Sequence, residues 1–339
     1  MQLFRKLLFP FSWIYQCVVW FRNLLYDRGF FASQKGALPT IVVGNVHVGG
    51  TGKTPHTLWL ANKLTAQFKL AILSRGYGRK TKGYLEWEPG MSADEFGDEP
   101  CQYVYALPSI RVVVCEDRIS GISRISETGP EQFVLLDDAL QHRKLEGNVN
   151  IVLMREDELP QDSHYLPSGN LRDHLCRLNQ ADVVIVTGAK AHWSNDQLSQ
   201  LKLTLNLHES CIMSSSMIEY GALKDATQET VAFPESAIAV TGIANPAPFL
   251  KHLAEKTKIV QHFNYPDHYS FTAHDWEKWI EASEINQKIP VITTEKDFMR
   301  LISSDNHKKL TVLYNPIEVS PSNSALIITL IEERISPKQ

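Results

Sequence analysis

The chain of 339 residues is 43% hydrophobic and 21% charged, a globular balance with room for two domains and no sign of extended disorder. Its net charge of −4 and pI near 6.3 exclude a global attraction to nucleic acid, so any basic site must be a local patch. Five cysteines, at 17, 101, 115, 176 and 211, form an odd set without Cys-x-x-Cys spacing, which fits reduced thiols and not disulfides, zinc or redox chemistry.

The first element in chain order is Leu7 to Phe21, an uncharged run containing Trp13, Tyr15 and Trp20 and bracketed by Arg5-Lys6 and Arg22. Interrupted by Pro10, it is too short to span a bilayer, and no small-x-small cleavage site follows it as in a signal peptide. Wound as a helix, it gathers Arg5, Ser12, Gln16 and Asn23 on one side and Trp13, Cys17, Trp20 and Leu24 on another. Two readings stand: a helix at the water–lipid boundary, or one packed on the protein's own sheet.

Thr40-Ile-Val-Val-Gly-Asn-Val-His-Val-Gly-Gly-Thr-Gly-Lys-Thr54 follows, a β-branched run, a glycine-rich turn and the start of a helix. An anion with several negative oxygens needs converging N–H donors that side chains would obstruct. Gly49, Gly50, Thr51 and Gly52 supply that backbone. Lys53 is expected to reach the β- and γ-phosphates of ATP, and Thr54 to offer its hydroxyl to Mg²⁺. His47 stands where the standard pattern has its first glycine. The surviving Gly-Gly-x-Gly-Lys-Thr form resembles the loop of the MinD-like ATPases, except that Val48 stands in place of their second lysine.

Further apolar runs then end in chemically loaded loops. Leu70–Leu73 precedes Ser74-Arg75-Gly-Tyr-Gly78, Arg111–Val114 precedes Glu116-Asp-Arg118, and Phe133–Leu136 precedes Asp137-Asp138; Asn150–Leu153 and Asp182–Val186 complete the series. Strands alternating with helices predict a mostly parallel α/β sheet with helices on both faces, whose ligands lie at the carboxyl ends of the strands. Met213 to Glu235 turns polar and less periodic, as a linker or a pair of connecting strands would. Ala237–Val240, Thr257–Phe263, Pro290–Thr294, Leu310–Tyr314 and Ala325–Ile331 predict strands of a second, smaller α/β domain. The expected organisation is an N-terminal helix over 1–31, a P-loop domain over 32–212, a linker over 213–236 and the smaller domain over 237–339.

Asp137 and Asp138, at a strand end about eighty residues beyond the phosphate loop, have the position of Mg²⁺-holding acids. Adjacent buried carboxylates would repel one another without a cation. Gly97-Asp98-Glu99-Pro100 is the best candidate for a group that orients and deprotonates an acceptor hydroxyl, against the plainer reading of a solvated acidic loop. Tyr265-Pro-Asp-His268-Tyr269 offers an imidazole that could pair with that carboxylate across an interdomain cleft. His262, His268 and His274, six apart, suit no familiar zinc spacing. Arg75, Arg118, Arg143 and Arg172 lie in loops expected at one sheet edge, where planar guanidinium groups suit an anionic substrate. These residues alone leave open a phosphotransferase acting on a lipid or a small soluble molecule, or a MinD-like membrane ATPase switch.

Gly44-Asn-Val-His-Val-Gly-Gly-Thr-Gly-Lys-Thr-Pro55, Ser74-Arg-Gly-Tyr-Gly78, Gly97-Asp-Glu-Pro100, Leu136-Asp-Asp-Ala-Leu-Gln-His142, Leu166-Pro-Ser-Gly-Asn-Leu-Arg172 and Thr294-Glu-Lys-Asp297, in that order, closely resemble the tetraacyldisaccharide 4′-kinases of lipid A synthesis. The resemblance implies a two-domain P-loop kinase on the cytoplasmic face of the Gram-negative inner membrane. Its reaction would carry the ATP γ-phosphate to the 4′-hydroxyl of an acylated glucosamine disaccharide 1-phosphate, with Mg²⁺ as cofactor and neither nucleic acid nor a protein partner. It further implies that Lys53 and Thr54 serve the phosphates and Mg²⁺, that Asp138, with Asp137 beside it, serves the metal with help from Glu99, and that Asp98 and His268 form the catalytic pair. The aromatic N-terminal helix becomes a membrane dock. Ala139 stands where family members often have glycine.

Overall fold

A computed structural model describes residues 8–159, 164–267, 269–302, 306 and 309–336. The chain opens with helix α1 (Phe9–Asp27), then β1 (Gln34–Lys35), β2 (Thr40–Asn45), α2 (Lys53–Leu64), β3 (Leu70–Ser74), β4 (Leu85–Glu86), α3 (Ala93–Phe96) and α4 (Asp98–Ala106). It continues through β5 (Arg111–Val114), α5 (Arg118–Thr128), β6 (Phe133–Asp137), β7 (Leu145–Glu146), β8 (Val149–Arg155), β9 (Val183–Thr187), α6 (Asn195–Thr204) and β10 (Ile212–Tyr220). The remaining elements are β11 (Ser236–Thr241), α7 (Ala247–Ala254), β12 (Lys258–Asn264), α8 (Ala273–Ile285), β13 (Val291–Thr294), α9 (Glu295–Leu301), β14 (Val312–Asn315), β15 (Ile317–Pro321) and α10 (Ser324–Ile335).

Two sheets carry the molecule. The larger has nine strands in the order β15-β10-β9-β8-β2-β6-β3-β5-β4, parallel except for antiparallel β15 and β4 at its edges. Its inner strands are β-branched and apolar on both sides because both faces are covered. Leu60, Leu64 and Tyr103 from α2 and α4 pack on one face, and Ile122, Ile125, Leu198 and Leu201 from α5 and α6 on the other. β3, β5 and β6 lie to one side of β2 and β8 to β10 to the other, so the strand order reverses at β2. The crevice such a reversal opens falls at the carboxyl end of β2, where the glycine-rich turn begins. The smaller sheet, β12-β11-β13-β14, is wholly parallel and is sandwiched between Phe249 and Leu253 of α7 and the Trp276, Trp279 and Phe298 cluster of α8 and α9.

Two sequence expectations are corrected here. Within the stretch from 213 read as a linker or connecting strands, residues 213–220 belong to β10, a full strand of the larger sheet hydrogen-bonded to β9 on one side and to β15 on the other. The misleading feature is Ser214-Ser215-Ser216, polar yet fully buried. Ser322 and Asn323 of the returning chain satisfy this strand: Ser215 N donates to Ser322 Oγ at 3.2 Å, and Asn323 Nδ2 donates to Met213 O at 2.7 Å. Second, Ala325–Ile331 is no strand of the smaller domain but part of α10, whose Ile327, Ile331 and Ile335 recur every four residues and join the core of the larger sheet. Residues 317–336 therefore return to the first domain, and the smaller unit is closed by β14.

The domains meet along α4 and α9. Gln102 Nε2 donates to Glu295 Oε2 at 2.7 Å, both side chains being buried, and the Tyr105 ring packs on Phe298 and Tyr314. The Tyr105 hydroxyl donates to Ala226 O at 2.9 Å, fixing the connecting segment as well.

Because α10 buries its every-fourth isoleucines, Ile331→Ala should cost roughly 2–5 kcal/mol, whereas Leu326→Ala, on the exposed face, should stay within about 0.5 kcal/mol. Equilibrium urea unfolding of both variants measures this; equal losses would contradict the helical register.

Candidate active site

The glycine-rich turn leaves β2 through Val46 and His47 and enters α2 at Lys53. Gly49 and Gly52 adopt φ of 111° and 82°, left-handed backbone that a side chain would strain, and among the described residues a Cβ added at Gly49 or Gly50 would meet open space. The turn is braced from beneath: Asn45 Nδ2 donates to the buried Thr51 hydroxyl at 2.8 Å, and His56 Nδ1–H donates to Gly52 O at 2.7 Å. Complete burial pushes the His56 imidazole down to about 4, against the opposing pull of that bond, so it serves as a neutral strut. His47, where the standard loop has glycine, turns its ring into the protein beside Glu158, 3.9 Å away, and burial and Arg155 keep it below its ordinary value.

β6 lies directly beside β2, with Val43 opposite Asp137. Asp137 is fully buried, and neither carboxylate oxygen has a hydrogen-bond partner among the described residues. Burial first, then the charges of Glu99 and Asp138, push it up to about 8, with Lys53 and the buried Tyr103 hydroxyl, which also faces Thr54, pulling the other way. Asp138 turns out of the strand with φ of 50° and meets Lys53 Nζ at 3.9 Å and the fork of Arg172, whose Nη1 donates to Oδ2 at 3.1 Å and whose Nη2 donates to Oδ1. Burial works to raise Asp138, but Lys53, Arg172 and Arg118 outweigh it and hold the carboxyl below its ordinary value. Arg172 Nη2 also donates to Gln141 Oε1, and Gln141 Nε2 donates to Asn45 O at 2.7 Å, closing a ring from the loop strand to the acids.

Asp98 opens α4, and Glu99 follows within electrostatic reach of Asp137. Arg300 Nε, from the second domain, donates to Asp98 Oδ2 at 2.7 Å, while its Nη1 donates to the buried Asp297 Oδ1 at 3.0 Å. His268, the expected partner of Asp98, lies outside the described residues. Sequence reasoning did not single out Arg300 or Gln141. The available signals were Thr294-Glu-Lys-Asp297, with an arginine three residues on, and the Gln that ends Asp-Asp-Ala-Leu-Gln.

A family model described as Tetraacyldisaccharide-1-P 4′-kinase matches residues 4–336. A tetraacyldisaccharide 4′-kinase of Flavobacterium johnsoniae is 35% identical over 99% of this chain and 100% of its own, and one of Bacteroides thetaiotaomicron is 37% identical over 88% and 83%. The crystal structure of LpxK from Aquifex aeolicus in complex with ATP superimposes with a TM-score of 0.78 at 31% identity, covering 98% of this chain and 100% of that one. The chain belongs to the tetraacyldisaccharide-1-P 4′-kinase family.

The four expected substrate arginines divide within this family fold. Arg172 is committed to Asp138. Arg118 is buried, its Nη1 donating to Cys115 O at 2.6 Å, and burial lowers its guanidinium below the ordinary value although Asp137 and Asp138 support it. Arg75 stands exposed at the end of β3, near enough to act electrostatically on Arg118. Arg143 departs from the expected role: Nη2 donates to Asp27 Oδ1 at 2.8 Å, Nη1 donates to Asn23 O at 3.0 Å, and the guanidinium covers the Tyr26 ring. It fastens α1 to the domain.

α1 joins the two readings left open by the sequence. It packs, but by its polar side: the Ser12 hydroxyl donates to Ser168 Oγ at 2.7 Å, the Tyr15 hydroxyl donates to Arg172 O at 2.9 Å, and Asn23 Nδ2 donates to Asp173 Oδ1 at 2.9 Å. Its aromatic side faces outward, with Trp13 64% and Trp20 53% exposed beside Phe9, Val18 and Phe21. No described helix is long and apolar enough to cross a membrane.

Proposed function

We propose that this chain is an ATP-dependent kinase that phosphorylates the 4′-hydroxyl of an acylated glucosamine disaccharide 1-phosphate to give the 4′-phosphorylated lipid A precursor. The observation that carries this reading is the convergence, at one sheet edge, of a phosphate loop, three acids and a helix-borne carboxylate, in a chain that matches its kinase family from end to end.

The loop from Gly49 to Gly52 presents its N–H groups to the triphosphate, and Lys53 neutralises charge growing on the β–γ bridge oxygen as that P–O bond breaks. Asp98 receives the proton of the sugar hydroxyl while its oxygen bonds to the γ-phosphorus; its place at the first turn of α4 supports that role. A buried carboxylate whose oxygens have no hydrogen-bond partner among the described residues suits a divalent cation, so Asp137 and Thr54, with Asp138 and Glu99 at hand, are the residues that would hold Mg²⁺. Bound there, Mg²⁺ would supply charge neutralisation and alignment of the phosphates. Arg75, exposed at the end of β3, is the arginine free to meet the anionic substrate, with the buried Arg118 adding positive charge behind it.

The outward aromatic face of α1 is read as the dock on the cytoplasmic face of the Gram-negative inner membrane, where an acylated substrate resides. A helix fastened by serine, tyrosine and asparagine with tryptophans exposed is the reverse of an ordinary surface helix, and the water–lipid boundary is the environment that rewards it.

Incubation with γ-labelled ATP and an acylated disaccharide phosphate should move label into the lipid phase. Free phosphate alone would instead select an ATPase switch, and label confined to soluble acceptors a small-molecule kinase. Asp98→Ala should slow transfer by about 10²–10⁴-fold with ATP affinity within about twofold; unchanged turnover would remove Asp98 from its role. Replacing Trp13 and Trp20 by serine should weaken co-sedimentation with anionic lipid vesicles by roughly tenfold or more. Equal sedimentation of variant and native chains would show that this face does not meet lipid.

A further inference from the structure

The second domain is an open parallel sheet with the order β12-β11-β13-β14, so its strand order reverses between β11 and β13. In such sheets the crevice at the carboxyl ends of those two strands is the usual ligand seat. Here side chains of the domain itself bond across it. Gly242, just beyond β11, donates its N–H to Asp297 Oδ2 at 2.9 Å, and the Thr294 hydroxyl, at the end of β13, donates to the same oxygen at 2.8 Å. The Asp297 N–H returns a bond to Thr294 Oγ1 at 3.1 Å. Asp297 is fully buried and fixed on three sides before it meets Arg300.

The other oxygen of Asp297 accepts from Arg300 Nη1, and Arg300 Nε reaches out of the domain to Asp98 Oδ2. One guanidinium thus bridges two carboxylates from different domains, one immobile and one at the head of α4. Only 8% of the Arg300 side chain is exposed, and Nη1 lies 3.4 Å from Gly242 O, so its plane is set by the sheet and not by solvent.

We infer that Arg300 is a positioning residue for phosphoryl transfer: its guanidinium fork carries the rigidity of the second domain's strand ends to Asp98 and fixes the orientation of that carboxylate toward the acceptor hydroxyl. This rests on the proposed role of Asp98 as the base. The chemistry suits an arginine, which is permanently charged and so holds Asp98 without competing for the proton that Asp98 takes. The planar fork also addresses two carboxylates at a fixed angle, which a lysine ammonium on a flexible stem cannot. The contact joins residues 202 apart in sequence and makes the aim of the base depend on how the two domains sit together. It also gives Thr294-Glu-Lys-Asp297 a physical role, because Asp297 anchors the arginine three residues on.

Arg300→Gln in the intact chain should lower kcat by about 10–100-fold while the calorimetric Kd and the KM for Mg·ATP stay within about twofold, because orientation and not nucleotide binding is lost. In an Asp98→Ala background the same substitution should cost less than about twofold more, since the carboxylate it orients is gone. Equal losses in both backgrounds, or an unchanged kcat, would overturn the inference. Should Arg300→Gln fail to fold, Arg300→Lys retains charge and bulk and should still lose about 3–10-fold in kcat, only with Asp98 present. Full turnover by Arg300→Lys would overturn the inference, because the fork would then be dispensable. The Asp98→Ala chain by itself reports on the base: if it keeps native turnover, the assignment of Asp98 falls independently of the Arg300 measurements.

Discussion

The arrangement depends on one acid that the fold buries without pairing it to a cationic side chain among the described residues. An ionised carboxylate sealed from water without a partner costs several kcal/mol, and a protein escapes that cost by protonating the group or by bringing a cation to it. Burial, then Glu99 and Asp138, push Asp137 up to about 8, which favours the first. The surrounding geometry prepares the second. Thr54 lies at the start of α2, Lys53 approaches Asp138 from the loop, and Arg172 takes over Asp138 so that the two aspartates do not share one fate. The parallel register that sets Val43 opposite Asp137 brings the acids to the mouth of the loop, so the sheet's topology, more than any local motif, assembles the site.

The same edge is wired to the surface helix. Residues 166–173 lie between α1 and the loop. On one side Ser168, Arg172 and Asp173 bond to Ser12, Tyr15 and Asn23; on the other, Arg172 N donates to Val46 O at 2.9 Å and Val48 N donates to Asn170 O at 2.8 Å. One short segment therefore holds the exposed aromatic helix, the strand-to-loop junction and the side chain that grips Asp138. On the proposed reading of α1 as a lipid dock, this connection would tie the height of the nucleotide site to that helix.

Much of this was legible in the sequence because local chemistry and global topology agreed. β-branched runs ending in glycine, aspartate or arginine gave the parallel strands and the edge at which their loops collect, and the glycines before Lys53 specified the turn by the backbone angles they permit. What escaped depended on contacts distant in the chain. Ser214 to Ser216 looked like linker because the strand that satisfies them returns a hundred residues later. Ile327, Ile331 and Ile335 lie in a β-branched stretch whose helical spacing was outvoted by composition. Arg143 had the residue type for substrate binding but was taken by Asp27 and Asn23, while Arg300, in an unremarkable helix, was recruited by Asp98. Pattern identifies groups able to do chemistry; only packing decides which of them are already committed.

The central proposal, that Asp137, raised by burial and its acidic neighbours, gives up a proton to a cation arriving with the nucleotide, is tested most directly by counting protons. Calorimetric titration of the folded chain with Mg·ATP at pH 7, repeated in buffers of different ionisation enthalpy, should show native protein releasing about one proton more than the Asp137→Asn variant, since a group raised to about 8 holds its proton at that pH and loses it to a bound cation. Equal proton counts for the two chains, or nucleotide uptake indifferent to magnesium, would contradict the account.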